Sequence, residues 1–294
     1  MPHAPRDHHD LGLAHDLHTL AAQAQRRKAL GWIAALGSMG AGTLFVGCGG
    51  GSDDDATTSS STSSSSNSSG SSSSSTTTSS CAVIPEETEG PYPGDGSNSA
   101  NGSIANALML SGIVRSDIRR SIAGANGLAA GVPLTLTLRL VNTRASCADL
   151  SGYAIYLWHC DQQGRYSMYS SGVTAENYLR GVQATDTDGT ASFVTVFPGC
   201  YAGRMPHMHF EIYRNTSTAL SYTNKLKTSQ LAFPDEVCDA VYASSGYTTS
   251  ASNYARMSFA SDGIFSDGVT LQMSSVTGSV ADGYLATLTV GISI

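Results

Sequence analysis

Histidine is scarce in the part of the chain that can fold. The chain has 294 residues and eight histidines. Five of them lie near the start: His3, His8, His9, His15 and His18. Beyond residue 80 the sequence keeps His159, His207 and His209. Any histidine chemistry of a folded domain must use these three, and two of them form a His-x-His pair.

Several other signals are absent. The sequence has no Gly-rich phosphate-binding loop and no Gly-x-Ser-x-Gly turn. Charged residues make up only 13% of the chain. Six of the 23 acidic and four of the 16 basic residues precede residue 81, which leaves a net charge of −5 on the remainder. Since this remainder is mildly acidic and has no Lys/Arg cluster, we expect no nucleic-acid partner.

Residues 1–47 have the pattern of an export signal. Arg26 and Arg27 precede an apolar, Gly-rich run that ends at Gly47, which is typical of the twin-arginine route. Leu44 to Cys48 resembles a lipoprotein cleavage site, with Cys48 as the lipidated residue. The alternative is an uncleaved membrane helix over 29–47, because that length just spans a bilayer. We expect the protein in the periplasm or at the cell surface, held at the membrane through Cys48.

Residues 48–80 are almost wholly Ser, Thr, Gly, Asn and Asp. Such a segment cannot bury apolar surface, so it predicts a disordered tether. Residues 81–294 then form one folded domain. Five cysteines lie in this domain, and disulfides persist in exported proteins. Five is an odd number, so at least one cysteine is unpaired or pairs outside the chain. Cys147 with Cys160 is the first candidate pair and Cys200 with Cys238 the second, while Cys81 is unassigned and the connectivity stays open.

The sequence of the domain consists mainly of short segments with a strand pattern, which are separated by Gly, Asn, Asp and Ser. The expected strands are 108–115, 132–141, 153–159, 191–197, 207–213, 269–273 and 285–294. The best helical segment, 235–243, is short. The sequence therefore predicts an all-β fold, a β-sandwich of mainly antiparallel strands with few short helices.

The most informative segment is 198–210. Side chains two apart on a strand share a face, so His207 and His209 can reach one metal ion while Met208 and Phe210 face the core. Pro206 cannot donate to a sheet ladder, which suits the start of the strand. Tyr201 closes a Pro-Gly turn just before the histidines.

Three further segments accompany it. Residues 155–167 have the pattern of a strand followed by a turn that contains Tyr166. Residues 179–189 lie between Tyr166 and Tyr201 in the sequence. Residues 85–92 have the sequence Pro-Glu-Glu-Thr-Glu-Gly-Pro-Tyr. Together the four segments resemble the intradiol ring-cleavage dioxygenases, the family of catechol 1,2-dioxygenase and protocatechuate 3,4-dioxygenase. The resemblance covers roughly 85–235 and continues more weakly to the end of the chain.

The resemblance implies a set of site residues. The ligands of a non-haem iron(III) ion would be Tyr166, Tyr201, His207 and His209. Arg204 matches the active-site arginine, which contacts substrate, and Gln230 matches the catalytic glutamine of the Thr-x-Gln segment. Tyr92 would line the substrate pocket.

The resemblance also implies the reaction. A small aromatic diol of the catechol type would be cleaved by O2 to a muconate-type dicarboxylic acid. Iron(III) favours anionic oxygen, and a bound cation stabilises the deprotonated form of a tyrosine whose free pKa is about 10. Catechol, protocatechuate, hydroxyquinol and larger phenols stay open as substrates, since loops 112–132 and 214–227 would select for size. Monomer and homo-oligomer also stay open.

Two alternatives have different chemistry. His159 and Asp161 have the His-x-Asp spacing of an iron(II), 2-oxoglutarate-dependent oxygenase, although His159 is more simply structural. A non-catalytic, anchored binding module is the second alternative, because a tethered sandwich suits that role. Trp158 is expected in the core.

Overall fold

The structure is a computed structural model that describes residues 82–294. The predicted export signal, Cys48, the tether and Cys81 lie outside the described residues. The strands are β1 Asp95–Ala100, β2 Ser103–Asn106, β3 Pro133–Asn142, β4 Ala148–Asp149, β5 Ala154–Trp158, β6 Arg180–Ala184, β7 Thr190–Val196, β8 His207–Tyr213, β9 Lys225–Ala232, β10 Ser275–Ser279 and β11 Gly283–Ile292. The helices are α1 Asp235–Tyr242 and α2 Thr248–Tyr254, with 3-10 turns at Tyr222–Asn224 and Phe265–Asp267.

Two sheets form the sandwich. In the first, β10, β11, β3 and β7 are neighbours in that order, and β4 pairs with the end of β3. The second has the order β6-β5-β8-β9. Neighbouring strands are antiparallel except β3 and β11, which run parallel from Leu134 opposite Tyr284 to Asn142 opposite Ile292. The predicted sandwich of mainly antiparallel strands is confirmed.

The core lies between the sheets. Leu134, Leu136, Leu138 and Leu140 alternate with exposed or half-buried residues along β3, as a strand with one buried face requires. They pack in one cluster with Met208, Phe210 and Ile212 of β8. Burying each such side chain stabilises the fold by about 1.5–3 kcal/mol.

The second sheet is covered on its outer face as well. Every residue of β5 and β8 is buried. On the outer face, Tyr156, Trp158 and Tyr213 pack in a separate cluster with Leu108 and Ile113 of the loops that precede β3. The odd-numbered residues of β8 therefore point away from the sandwich core into a buried layer, and this layer holds the candidate site.

Some predicted elements are wrong. Residues 108–115 form turns with one isolated bridge from Val114 to Val182; Gly112 adopts a φ of 87°, which interrupts a strand. Residues 269–273 also turn, since the Gln272 amide donates to the Val269 carbonyl. The other predicted segments are confirmed, as strands β3, β5, β7, β8 and β11 and helix α1. The sequence did not predict the remaining elements, which are β1, β2, β4, β6, β9, β10 and α2.

The predicted disulfides are wrong as well. Cys160, Cys200 and Cys238 are buried free thiols. Cys147 is disulfide-bonded, so its partner lies outside the described residues. Cys147 follows β3 in the first sheet and Cys160 follows β5 in the second, so their closeness in sequence does not bring them together. Burial raises the pKa of the three thiols, which keeps them protonated.

Within residues 82–294, no helix is long and apolar enough to cross a bilayer.

Candidate metal centre and active site

His207 and His209 open β8 on its outer face. Their Nε2 atoms lie 3.1 Å apart, and both side chains are buried. Nδ1 of His207 lies 2.6 Å from the Met205 carbonyl and donates to it in the tautomer that this oxygen requires. That bond orients the ring and leaves the Nε2 lone pair free toward the centre. The strand geometry expected from the His-x-His spacing is confirmed.

Tyr201 reaches the same centre from the turn before β8. Its hydroxyl lies 3.2 Å from Nε2 of His207. The turn is held against the loop after β5, because the Gly199 amide donates to the Asp161 carbonyl at 3.1 Å. A Cβ on Gly199 would lie 2.6 Å from the Gly164 amide nitrogen, so only glycine permits this approach.

Tyr166, on the loop after β5, lies beside Tyr201, His207 and His209. Its ring lies 5.8 Å from the Tyr201 ring and 6.2 Å from the His209 ring. Its hydroxyl is buried and forms no hydrogen bond of normal geometry. A buried polar atom without a partner costs about 1–3 kcal/mol, so it calls for an explanation. A ligand in the space shared with His207 and His209 supplies one.

The electrostatics of His207, His209 and Tyr166 suit a bound cation. Burial lowers the pKa of His207 and His209, so both imidazoles are neutral and can donate lone pairs. Burial, reinforced by Tyr201, raises the pKa of the Tyr166 phenol well above 10. A cation stabilises the phenolate and reverses that preference. Two phenol oxygens and two imidazole nitrogens fit a hard transition-metal ion such as iron(III).

The tyrosines are needed for this fit. Among residues 82–294, no group of three or more His, Cys, Asp and Glu side chains could hold a metal ion. A metal centre on β8 therefore depends on Tyr166 and Tyr201 to complete the two histidines.

Arg204 and Gln230 lie beside the histidines, as the resemblance implies. Nη2 of Arg204 donates to Oε1 of Gln230 at 2.7 Å, and Nη1 lies 3.4 Å from Nε2 of His207. Gln230 in turn donates to the Thr88 carbonyl at 2.9 Å. The structure thus brings one fixed positive charge to the edge of the four-ligand group.

Asp262 is a residue of this site that the sequence did not indicate. It is fully buried, and its carboxylate accepts from Nε of Arg204 at 3.0 Å. It also accepts from the amides of Met205, Ile264 and Phe265. Asp262 lies in a Ser-Asp-Gly triplet that reads as an ordinary turn, and it stands 58 residues after Arg204, so no local signal identifies it.

Aromatic rings enclose the group. Tyr92 lies 4.9 Å from the Tyr166 ring and 5.4 Å from the Tyr169 ring, which agrees with its expected place in a pocket wall. Trp158 is fully buried and stacks on His209 at 5.0 Å with an interplanar angle of 8°. Trp158 is a core residue, as expected, but it also fixes the plane of a candidate ligand.

His159 and Asp161 are not arranged for metal binding. Both ring nitrogens of His159 are engaged, one with Thr195 Oγ1 at 2.7 Å and the other with the Cys160 carbonyl at 2.8 Å. The Asp161 carboxylate accepts from Arg165 and from the Tyr178 hydroxyl. These bonds hold the turn that carries Tyr166, so the iron(II), 2-oxoglutarate alternative loses its ligands.

Comparisons with known proteins concern the family and the fold of the domain. A family model described as Dioxygenase matches residues 115–212. An intradiol ring-cleavage dioxygenase from Tetranychus urticae is 27% identical with a TM-score of 0.55, over 72% of this chain and 95% of that chain. A second dioxygenase crystal structure is 25% identical with a TM-score of 0.56, over the same shares. No curated protein sequence matches the chain significantly.

These matches confirm the resemblance on which the site was predicted. The described domain is similar in fold to the intradiol ring-cleavage dioxygenase from Tetranychus urticae, and its residues 115–212 match the Dioxygenase family model.

Proposed function

We propose that this protein uses a non-haem iron(III) ion held by Tyr166, Tyr201, His207 and His209 to cleave a catechol-type ring with O2. The ring opens between its two hydroxyl-bearing carbons, and both atoms of O2 enter the product, which is a muconate-type dicarboxylic acid. The observation that carries the proposal is the convergence of two imidazole nitrogens 3.1 Å apart, the Tyr201 hydroxyl 3.2 Å from one of them, and a buried Tyr166 hydroxyl that forms no hydrogen bond of normal geometry.

The iron(III) ion would bind the deprotonated diol and make its ring reactive toward O2. The chain's own groups handle the protons and charge around it. Tyr201 is half-buried whereas Tyr166 is buried, so the Tyr201 oxygen is the better placed to accept a proton from an entering hydroxyl. Arg204 faces the same space and stabilises negative charge that develops on substrate oxygen. Gln230 and Asp262 hold its guanidinium by the other edges.

Substrate shape is set by the apolar wall around Tyr92. Leu110 and Ile122 pack in the cluster that contains Tyr92 and Tyr166. Both belong to the loops between β2 and β3, so these loops and Tyr92 select among catechol, protocatechuate, hydroxyquinol and larger phenols. A ring that stacks on Tyr92 must be flat, which fits an aromatic diol.

Export and anchoring belong to the same proposal. The paired arginines before an apolar run and the lipoprotein-like site at Cys48 support delivery of a folded, metal-loaded domain to the periplasm or cell surface. The Ser/Thr-rich residues 48–80 would then act as a tether. Mass spectrometry of the mature N-terminus tests this: a lipid on Cys48 supports the anchor, and an intact residue 1 contradicts it.

Oxygen uptake by the purified, iron-loaded protein tests the activity across a panel of catechols. The expected result is oxygen consumption that depends on both iron and one member of the panel. Tyr201→Phe serves as the matched variant, because it removes one candidate ligand oxygen and keeps the ring. Protein that takes up no iron on reconstitution would instead favour the non-catalytic binding module.

A further inference from the structure

Arg180, the first residue of β6, is a fully buried arginine without an acidic partner. It is 1% exposed, and no carboxylate forms an ion pair with it among residues 82–294. A buried charge is costly unless hydrogen bonds replace its hydration. The acceptors of its hydrogen bonds therefore indicate its role. Four bonds go to two segments of the candidate site, and one goes to the Tyr156 hydroxyl of β5.

One set of acceptors belongs to the segment that carries Tyr92. Nη2 of Arg180 donates to the Tyr92 carbonyl at 2.9 Å, and Nη1 donates to the Pro93 carbonyl at 2.6 Å. A Cβ on Gly94 would lie 2.7 Å from Nη1, so the guanidinium fits tightly against this segment. The Tyr156 hydroxyl also donates to the Pro93 carbonyl, at 2.8 Å, and it accepts from Arg180.

The other set belongs to the turn that carries Tyr166. Nη2 of Arg180 donates to the Ser167 carbonyl at 3.0 Å, and Nε donates to the Ser167 hydroxyl at 3.2 Å. The guanidinium therefore bridges residue 167 and residues 92–93. Its planar fork suits this task, because it presents five donors in a fixed geometry.

We infer that Arg180 is a positioning residue that ties the Tyr92 segment to the Tyr166 turn and so holds Tyr92 against the site. This inference rests on the proposed function for its effect on substrate. Tyr166 would also be held by the metal through its oxygen, whereas Arg180 donates directly to the backbone carbonyls of Tyr92 and Pro93. Loss of the bridge therefore releases the pocket wall rather than the metal.

The experiment compares Arg180→Met and Arg180→Lys with Thr185→Val in the full chain. Lysine keeps the charge but cannot make the fork. Thr185 follows the opposite end of β6 and is buried, and its hydroxyl hydrogen-bonds the Leu150 and Tyr153 backbone. Thr185→Val is therefore a control for lost buried hydrogen bonds. Tyr156→Phe, which removes one bond to Pro93, serves if both Arg180 variants fail to fold.

Hydrogen exchange and steady-state kinetics distinguish a positioning role of Arg180 from a general loss of stability. Hydrogen exchange of iron-free protein is expected to speed up at least tenfold in residues 90–98 for the Arg180 variants and to stay unchanged there for Thr185→Val. In iron-loaded protein, KM for the cleaved catechol is expected to rise at least tenfold, with kcat within about threefold and an unaltered visible tyrosinate–iron(III) band.

Unchanged exchange in 90–98, or a KM within twofold of the parent protein in folded Arg180 variants, overturns the inference. If the parent protein neither binds nor cleaves any catechol, the proposed function fails, and the exchange measurement alone then decides whether Arg180 holds the Tyr92 segment.

Discussion

The Arg204 guanidinium and the Asp262 carboxylate form a buried ion pair beside the two histidines, with Nε 3.0 Å from Oδ2. Asp262 takes one edge of the guanidinium and Gln230 takes another. The remaining nitrogen, Nη1, is the one that faces His207. The direction of the positive charge in the site is therefore set by a residue far away in sequence.

Asp262→Asn is expected to destabilise the fold and to lower activity together. Breaking a buried pair by removing one charge costs about 3–5 kcal/mol. Urea unfolding measures the stability, and oxygen uptake measures kcat. Asp149→Asn is the control, since Asp149 pairs with Arg139 in a partly exposed bridge that is worth about 0–1 kcal/mol. Equal, small effects of the two substitutions would show that Asp262 does not hold Arg204.

Removing either candidate phenolate is expected to change the colour of iron-loaded protein. Tyr166→Phe and Tyr201→Phe each delete one oxygen and keep an aromatic ring in place. Both should weaken or shift the visible tyrosinate–iron(III) band and reduce the rate at least a hundredfold. Tyr247→Phe is the control, because the Tyr247 hydroxyl accepts from the Val132 amide and donates to the Phe197 carbonyl, and its ring packs in the core between the sheets. A variant with parent-like colour and rate would remove that tyrosine from the site.

Trp158 is expected to report metal binding by fluorescence. Its ring stacks on His209 at 5.0 Å, close enough for a metal on His209 to quench it. The chain has two tryptophans, so Trp32→Phe makes Trp158 the single emitter. Iron(III) titration should quench the emission with one equivalent per chain. Quenching that persists in a His207→Ala, His209→Ala double variant would place the metal elsewhere.

Stability is expected to fall on acidification because of His159. Burial lowers the pKa of His159 to about 4 in the folded protein, whereas an unfolded histidine has a pKa of about 6.5. Between these values the unfolded chain binds more protons, so stability is highest above pH 6.5 and is lost as pH falls toward 4, by roughly 3 kcal/mol. Urea unfolding of His159→Gln against pH should show a shallower loss. An identical pH dependence in both proteins would contradict the assignment.

The sequence predicts the local parts of the site well and the distant parts poorly. His207 and His209 follow from strand periodicity, and Tyr166, Tyr201, Arg204 and Gln230 follow from a resemblance carried by short motifs. Asp262, Arg180 and Trp158 reach the site through the tertiary fold. Trp158 and Arg180 lie in segments that carry the resemblance, but strand periodicity does not predict their contacts, and Asp262 lies in an ordinary turn.

The same contrast holds for the fold. Strands with regular alternation, such as β3 and β8, are predicted to within a residue or two. Strand β9 is missed because its sequence, Lys-Leu-Lys-Thr-Ser-Gln-Leu-Ala, is polar over the part that faces the site. The expected disulfides fail for a related reason: Cys147 and Cys160 are near in sequence, but their strands belong to different sheets.

The most direct measurement is mass spectrometry of the ring-cleavage product formed under ¹⁸O₂ from the catechol that supports oxygen uptake. The expected product is a muconate-type diacid that carries one ¹⁸O atom in each of its two new carboxyl groups, formed only by iron-loaded protein and lost in Tyr201→Phe. A product cleaved beside the diol rather than between its two oxygenated carbons, or no labelled product from any catechol, would contradict it.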